Sequence, residues 1–527
     1  FYHAAKNRLV EIIPGRKTAS ETIREARRFA EMTGKDPIFC KDRYGFAVNR
    51  FFVPWLNEAV RLLEDGVADT ATIDAVCRKT FQIGMGPFAL MNATGVPIAY
   101  HSQKTLEVLG PFYQVAPLLK EQAESNQLWE IPEIDESKIS ENIARTISER
   151  MLGVVFLVCS QILDEEVCSA TELNRGARIG LRWRKGPVEL MQLMGETEVQ
   201  RLIEQIASRY NTPLPMTIHP DYWQLKWVQY EKKGDLAIIT ISRPEDLNAL
   251  NETVVEQLSA KFDKALSDSE VKKVLITGSG KAFMAGADIK FFVKNMKQHR
   301  LERIVEFTRR GQELFEKIDH SPKPVIALVN GLALGGGLEL ALCADLIFAA
   351  SGATMAFPET GIGIYPGLGG TYRTPSRVGK AMAKYLIFSG KMLTAWEAWE
   401  IGLIDGVLTR EELFFIKEGI MKIPDRQPAP PITGTKWEKI KQLFERMSLK
   451  DLLEKEVLPA APEKEVLEKI RKVLKRKAPI PLRIVEELID RAESPKQELE
   501  YLEQVFSSED ALTGLSNIGK PVTFQGK

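Results

Sequence analysis

The sequence predicts a multidomain protein in which an all-α, internally duplicated region is followed by an α/β region, and three observations carry that prediction. At 527 residues the chain is past the size at which a single hydrophobic core keeps growing, so two or more domains are expected. From about residue 43 to 195 apolar residues recur at helical spacing. Within that block Gly86-Pro87-x-x-Leu90-Met91-x-x-x-Gly95 returns as Gly186-Pro187-x-x-Leu190-Met191-x-x-x-Gly195, an offset of 100 that Val67 and Val167 also obey. Beyond Thr212-Pro213-Leu214-Pro215-Met216 the texture changes to apolar strands alternating with helical stretches, the order of a mainly parallel, covered sheet.

Taken in order, residues 9–13 read as a strand, and residues 17–34 as a helix with a Ser/Thr start and Gly34 at its end. Phe52, Trp55, Leu56, Ala59, Val60, Leu62 and Leu63 set the helical period that continues to residue 163. Each Gly-Pro pair suits a helix start, because proline is tolerated in the first turn; the text therefore also fits two unrelated Pro-started helices. Residues 227–230 and 236–241 flank Lys232-Lys233-Gly234-Asp235 and read as a β-hairpin. Strands 274–277 and 325–329 then alternate with helices 250–267 and 299–318. From about 411 to 481 the chain is charged and helical, with a proline-rich break at 427–431. Its charge run 464–477 reads as a solvated helix face. A helix over 483–506 and a polar tail follow.

Composition narrows the function. With 71 Lys+Arg against 71 Asp+Glu there is no net basicity to attract nucleic acid. The five cysteines (Cys40, Cys77, Cys159, Cys168, Cys343) form no C-x-x-C pair, which favours a reducing, cytoplasmic setting. The five histidines show no ligand spacing, so no metal is expected. The long apolar stretch 325–350 is broken by Asn330, Glu339 and Asp345 and laced with glycine, so no membrane segment is expected. Phe1 stands where an initiator Met would, and a missing N-terminal part is expected.

The chemistry concentrates in residues 330–345, where a strand runs through Gly335-Gly336-Gly337 into a helix. Bare N–H groups at a helix start gather positive potential and favour an oxyanion, although three glycines also suit close helix–strand packing. Glu339 lies between Leu338 and Leu340 in that first turn, and a carboxyl there is costly to bury without a task. Phe357-Pro358-Glu359-Thr360-Gly361 sets a second acid in a loop, with more bare backbone at residues 363–370. Upstream, Ala285-Gly286-Ala287-Asp288 follows a strand and offers a second amide. Two amides around one carbonyl would stabilise an enolate oxygen, and losing one such donor typically costs about 3 kcal/mol of barrier.

These residues resemble the enoyl-CoA hydratase (crotonase) superfamily over 226–405 and the tail to 527, through Arg243-Pro244 with Asn248-Ala249-Leu250, residues 285–288, residues 335–339 and Phe357-Pro358-Glu359. The resemblance implies a ββα spiral and an acyl-CoA thioester substrate whose oxygen is held by the amides of Ala287 and Gly336. It further implies Glu339 as water activator, Glu359 as proton donor to Cα, and Gly367 as a glycine that positions the water. Asp288 is expected to be structural. Both acids are present, which favours a hydratase over an isomerase or CoA hydrolase of the same superfamily.

Residues 1–210 resemble the 3-hydroxyacyl-CoA dehydrogenases, through residues 42–50 (Asp42-Arg43-Tyr44-Gly45-Phe46-Ala47-Val48-Asn49-Arg50) and the Gly-Pro repeats. Glu11 would be the acid that orients a catalytic His, and Asn49 a substrate-side polar residue; Glu11 as a plain strand-end charge and Asn49 as a helix cap remain open. His3 is expected in a surface or turn position. The G-x-G-x-x-G loop that holds NAD is not found, so the NAD-binding domain is expected to be absent. The fused order resembles archaeal bifunctional dehydrogenase/hydratase proteins. The expected layout is a remnant of a dinucleotide-binding domain at 1–34, a helical domain of two repeats at 35–212, and a crotonase-like domain at 226–527 with an insertion near 411–481. A homo-oligomer is expected. A non-catalytic oligomerisation scaffold in front, or a CoA-binding but inactive subunit, are the rival readings.

Overall fold

The computed structural model describes residues 5–454, 461–491 and 493–527; His3 lies outside them. The chain forms two compact units that divide between Lys226 and Trp227. The 212–216 segment belongs to the first unit, where Asp164 accepts the Met216 and Thr217 amides at 2.7 and 2.8 Å.

The first unit opens with strand β1 (Leu9–Ile12), the helix Ser20–Met32 and strand β2 (Asp36–Phe39), and the two strands pair in parallel. The short β2, with a proline in it, did not stand out as a strand. The rest is helical. Phe51, Trp55, Phe81 and Trp183 pack as a ring cluster with centroids 4.7–5.8 Å apart, an apolar core drawn from both repeats.

The offset of 100 persists in three dimensions. The helices Val48–Glu64 and Glu141–Asp164 end with the same bond, Val67 N–H to Leu62 and Val167 N–H to Ile162, and Gly66 and Glu166 both take positive φ there. Asp74 accepts the amides of Phe88 and Ala89 at the start of Pro87–Thr94. One hundred residues on, Asn174 accepts the Glu189 amide at the start of Pro187–Met194. This explains the repeated glycine: a Cβ on Gly86 would lie 2.4 Å from Asp74, and one on Gly186 would lie 2.1 Å from Asn174. Helix Glu141–Asp164 is long and apolar enough to cross a membrane, a feature the sequence reading passed over. Its most apolar window is 67% buried, as in a core helix.

The second unit builds two sheets at once. A six-stranded sheet has the order β12 (Gly406–Leu408), β9 (Leu346–Ala350), β7 (Val325–Val329), β5 (Lys273–Gly278), β4 (Leu236–Ile241), β3 (Val228–Lys233). A four-stranded sheet has the order β11 (Leu393–Thr394), β10 (Thr354–Ala356), β8 (Leu332–Leu334), β6 (Ala282–Ala285). From β5 to β10 successive strands alternate between the sheets, with helices between β6 and β7 and between β8 and β9, so the chain winds as a spiral; only β3–β4 and β10–β11 are antiparallel. The Glu252–Ser267 and Leu301–Asp319 helices match their expected places.

The C-terminal part departs from expectation. Instead of one helix over 483–506, the chain forms Pro479–Arg491, a 3-10 turn at Pro495–Tyr501 and Leu502–Phe506, and the tail holds a further helix, Glu509–Ser516. Ser494 caps the turn and Pro495 follows it, a stop and restart written in the sequence. Nor is the charge run 464–477 wholly solvated. Arg471 is buried with its guanidinium on the Leu452 carbonyl, and Lys477 is half-buried.

Candidate active site

Strands β6 and β8 lie side by side, with Ala285 opposite Leu334, so the chains leaving them run together into residues 286–287 and 335–336. Gly337 permits this: a Cβ there would sit 1.9 Å from the Met284 carbonyl oxygen. Gly335 turns the chain at φ +51. Leu250 pairs with this segment, its N–H on Gly286 and its carbonyl on Asp288 N–H. The amides of Ala287 and Gly336 meet no protein acceptor among the described residues, and Gly336 opens the helix Gly336–Ala341, where an N–H has no intrahelical partner. Asp288 caps Lys290 and lies 3.5 Å from Arg243, a structural position.

Glu339 and Glu359 converge on these glycines. A Cβ on Gly335 would lie 2.3 Å from Glu359 Oε1, and one on Gly336 would lie 3.9 Å from Glu339 Oε2. Both acids are buried, at 2% and 6% exposure, yet their surroundings differ. Glu339 Oε1 accepts the amides of Leu368 and Gly370 at 2.7 and 2.8 Å. Burial raises it to about 7, and the two amides and Arg373 hold it from going further. Glu359 Oε2 has no hydrogen-bond partner among the described residues. Burial, and then the neighbouring Glu339, push it well above the usual carboxylate range. The pair is thus split: one acid set up to ionise, the other to keep its proton.

Gly367 lies in the loop that holds Glu339; its carbonyl accepts Gln312 Nε2 at 2.9 Å, and its amide meets no protein acceptor among the described residues. Two further groups escaped the sequence reading. Glu498, 0% exposed, reaches the same loop from the turn Pro495–Tyr501. Lys477 lies close enough that a Cβ on Gly361 or Gly390 would be 3.0 or 2.8 Å from its Nζ; burial lowers it and Glu359 draws it back up.

In the first unit, Glu11 and Asn49 come to one place, the start of the helix Val48–Glu64. Glu11 Oε1 accepts the amides of Ala47 and Val48 at 3.0 and 3.2 Å, so this acid caps the helix, and burial raises it against those bonds. Asn49 is exposed in the first turn and is not the cap. A cavity of about 530 Å³ opens at the carboxyl ends of β1 and β2, where parallel sheets take ligands; Arg16, Lys41, Asp42 and Arg43 line it.

A spiral of paired sheets that ends in two free amides and two unlike buried acids defines an enzyme of the crotonase class. Residues 231–418 match the family model described as enoyl-CoA hydratase/isomerase. The chain is 45% identical over 184 residues to the crotonyl-CoA hydratase of Syntrophomonas wolfei, covering 35% of this chain and 69% of that one. It is 42% identical over 207 residues to the short-chain-enoyl-CoA hydratase of Clostridium acetobutylicum, covering 39% and 78%. A crystal structure of an enoyl-CoA hydratase from Rhodobacter sphaeroides shares the fold, with a TM-score of 0.51 at 23% identity over 57% of this chain and 93% of that one. The chain belongs to the enoyl-CoA hydratase/isomerase family.

Residues 45–130 match the C-terminal domain of 3-hydroxyacyl-CoA dehydrogenase, and residues 1–43 match its NAD binding domain. The expected absence of that domain is therefore wrong. The matched segment contains β1, the helix Ser20–Met32 and β2, and it takes in residues 1–34, expected from the sequence as a remnant of a dinucleotide-binding domain. The archaeal kinship expected from the domain order finds no support in these matches.

Proposed function

We propose that the second unit adds water across the double bond of a trans-2-enoyl-CoA to give the (S)-3-hydroxyacyl-CoA, within a bifunctional hydratase and NAD-dependent 3-hydroxyacyl-CoA dehydrogenase. The observation that carries this reading is the unlike pair of acids on one glycine cradle. The thioester oxygen accepts from the amides of Ala287 and Gly336, which stabilise the enolate. Ionised Glu339 takes a proton from water as its oxygen adds to Cβ. Neutral Glu359 then donates to Cα, and with both acids proposed to act from one face of the substrate the addition is syn. Gly367 N–H is the donor proposed for the water. An isomerase needs one acid to shuttle a proton, whereas two acids in opposite protonation states suit addition of water.

In the first unit, Glu11 and Asn49 are proposed as the acid and the substrate-side residue of the dehydrogenase. NAD would supply hydride acceptance when bound. Between β1 and the helix Ser20–Met32 the described chain carries Gly15 alone, too little for a pyrophosphate cradle, so no hydride step is derived from these residues. Descent of the two helical repeats from one ancestral unit, with domains at 1–34, 35–212 and 226–527, belongs to the same proposal. So do a homo-oligomer and a cytoplasmic setting; five buried, unpaired cysteines support the last.

The test is hydration of crotonyl-CoA by the full chain, followed by loss of the enoyl-thioester absorbance with product identification. 3-Hydroxybutyryl-CoA is expected. Free CoA, a shifted double bond, or an active variant carrying both Glu339→Gln and Glu359→Gln would overturn the mechanism.

A further inference from the structure

The loop after Gly367 deals its successive amides to two different acids. Leu368 and Gly370 donate to Glu339, as above, while Gly369 N–H donates to Glu498 Oε2 at 2.6 Å and Thr371 N–H to Glu498 Oε1 at 3.0 Å. Thr371 Oγ1 adds a further bond to Oε1 at 2.5 Å. Gly369 makes the alternation possible: its φ is +100, and a Cβ on it would lie 1.8 Å from Arg373 Nη1.

Glu498 has no ion-pair partner among the described residues. The nearby guanidinium of Arg373 pairs instead with Asp319 at 2.8 Å. The other groups that face it are Glu339, Glu359, Gln312 and Tyr365, whose hydroxyl donates to the Glu498 carbonyl. Glu503, on the following helix, is exposed, and Arg491 pairs with Glu500. A fully buried carboxylate against a catalytic acid is costly, and the hydration steps derived above leave it without a task.

We propose that Glu498 is a positioning residue of the hydratase site, holding the alternate amides of the 367–371 loop so that the others face Glu339, and setting a carboxylate near Glu359 that opposes proton loss from that acid. This rests on the hydratase reading. Burial and Glu339 together raise Glu498 to about 8, against the bonds from Thr371 and Gly369, so it ionises after Glu339 and opposes the proton loss of Glu359 that follows.

The experiment is the pH profile of kcat/KM for crotonyl-CoA hydration by the full chain. Its acid limb reports ionisation of Glu339 and its alkaline limb proton loss from Glu359. Glu498→Gln removes the carboxylate near Glu359 and is expected to lower kcat and to move the alkaline limb down by about half a pH unit or more, with the acid limb in place. Glu498→Asp keeps the charge but reaches the amides poorly; it is expected to lose height and keep the wild-type limb positions. A Glu498→Gln profile that superimposes on wild type after scaling, or an alkaline limb that moves equally in the Asp variant, would overturn the proposal. Should Glu498→Gln fail to fold by circular dichroism, Thr371→Val serves. It removes the hydroxyl bond that favours the charged acid and is expected to move the alkaline limb in the same direction by less; an unmoved alkaline limb overturns the proposal. Wild-type protein that does not hydrate crotonyl-CoA would refute the hydratase reading instead.

Discussion

Glu339→Gln separates what this acid does for the reaction from what it costs the fold. Glutamine keeps the shape and one acceptor oxygen for the Leu368 and Gly370 amides, so the loop is expected to hold. It cannot take a proton from water, and losing a positioned base typically costs about 10²–10⁴ in rate, or about 3–5 kcal/mol of barrier. The fold responds in the opposite sense. A carboxyl lifted from an ordinary 4.5 to about 7 is stabilising while protonated, and that contribution is lost as pH rises from about 4.5 through 7. At 1.36 kcal/mol per pH unit, ionising Glu339 inside the fold costs on the order of 3 kcal/mol. The variant is therefore expected to be nearly inactive in crotonyl-CoA hydration. Denaturant unfolding should find it more stable than wild type at pH 8, with the gap closing toward pH 5. A kcat within tenfold of wild type, or a stability difference independent of pH, would refute the reasoning.

Other variants probe the surroundings. Lys477→Met removes a cation that favours ionised Glu359, so the alkaline limb of the hydration profile should move to higher pH; an unmoved limb would disconnect the two groups. Gly337→Ala drives a methyl group onto the Met284 carbonyl and is expected to cost about 3 kcal/mol or more, seen as an earlier thermal transition together with lost hydration. Asp74→Ala leaves the Phe88 and Ala89 amides without their acceptor at a buried helix start, at about 2–3 kcal/mol in denaturant unfolding. Asp74→Asn should lose less, since Asn174 does the equivalent work in the second half.

The parts of the site legible in the sequence are those where residue type and place conflict. Glu339 in an apolar first turn and Glu359 in a Pro/Gly loop stand out because nothing but a task explains a carboxyl there. Glu498 does not stand out. It sits among Glu500 and Glu503 in text that reads as an amphipathic helix, and only the Ser494-Pro495 restart hints that its direction differs. Its partners lie 127 and 129 residues away, a distance no local pattern spans. The repeat at an offset of 100 was legible through glycine and proline, since backbone jammed against Asp74 or Asn174 tolerates no side chain. The acids and amides that replace one another at 74 and 174 were not, because different side chains perform the same capping. Strand β2 escaped notice because four residues with a proline carry too little periodicity to register.

The alternation of amides along 368–371 makes this segment sensitive to length. Adding or deleting one residue between Pro366 and Gly369 would take the left-handed turn off its glycine or pull it out of line with the helix Gly370–Val378, and the two carboxylates would lose donors that now reach them. Tolerance here is thus expected to follow the loop's length and the glycine at 369, more than the identity of side chains such as Leu368.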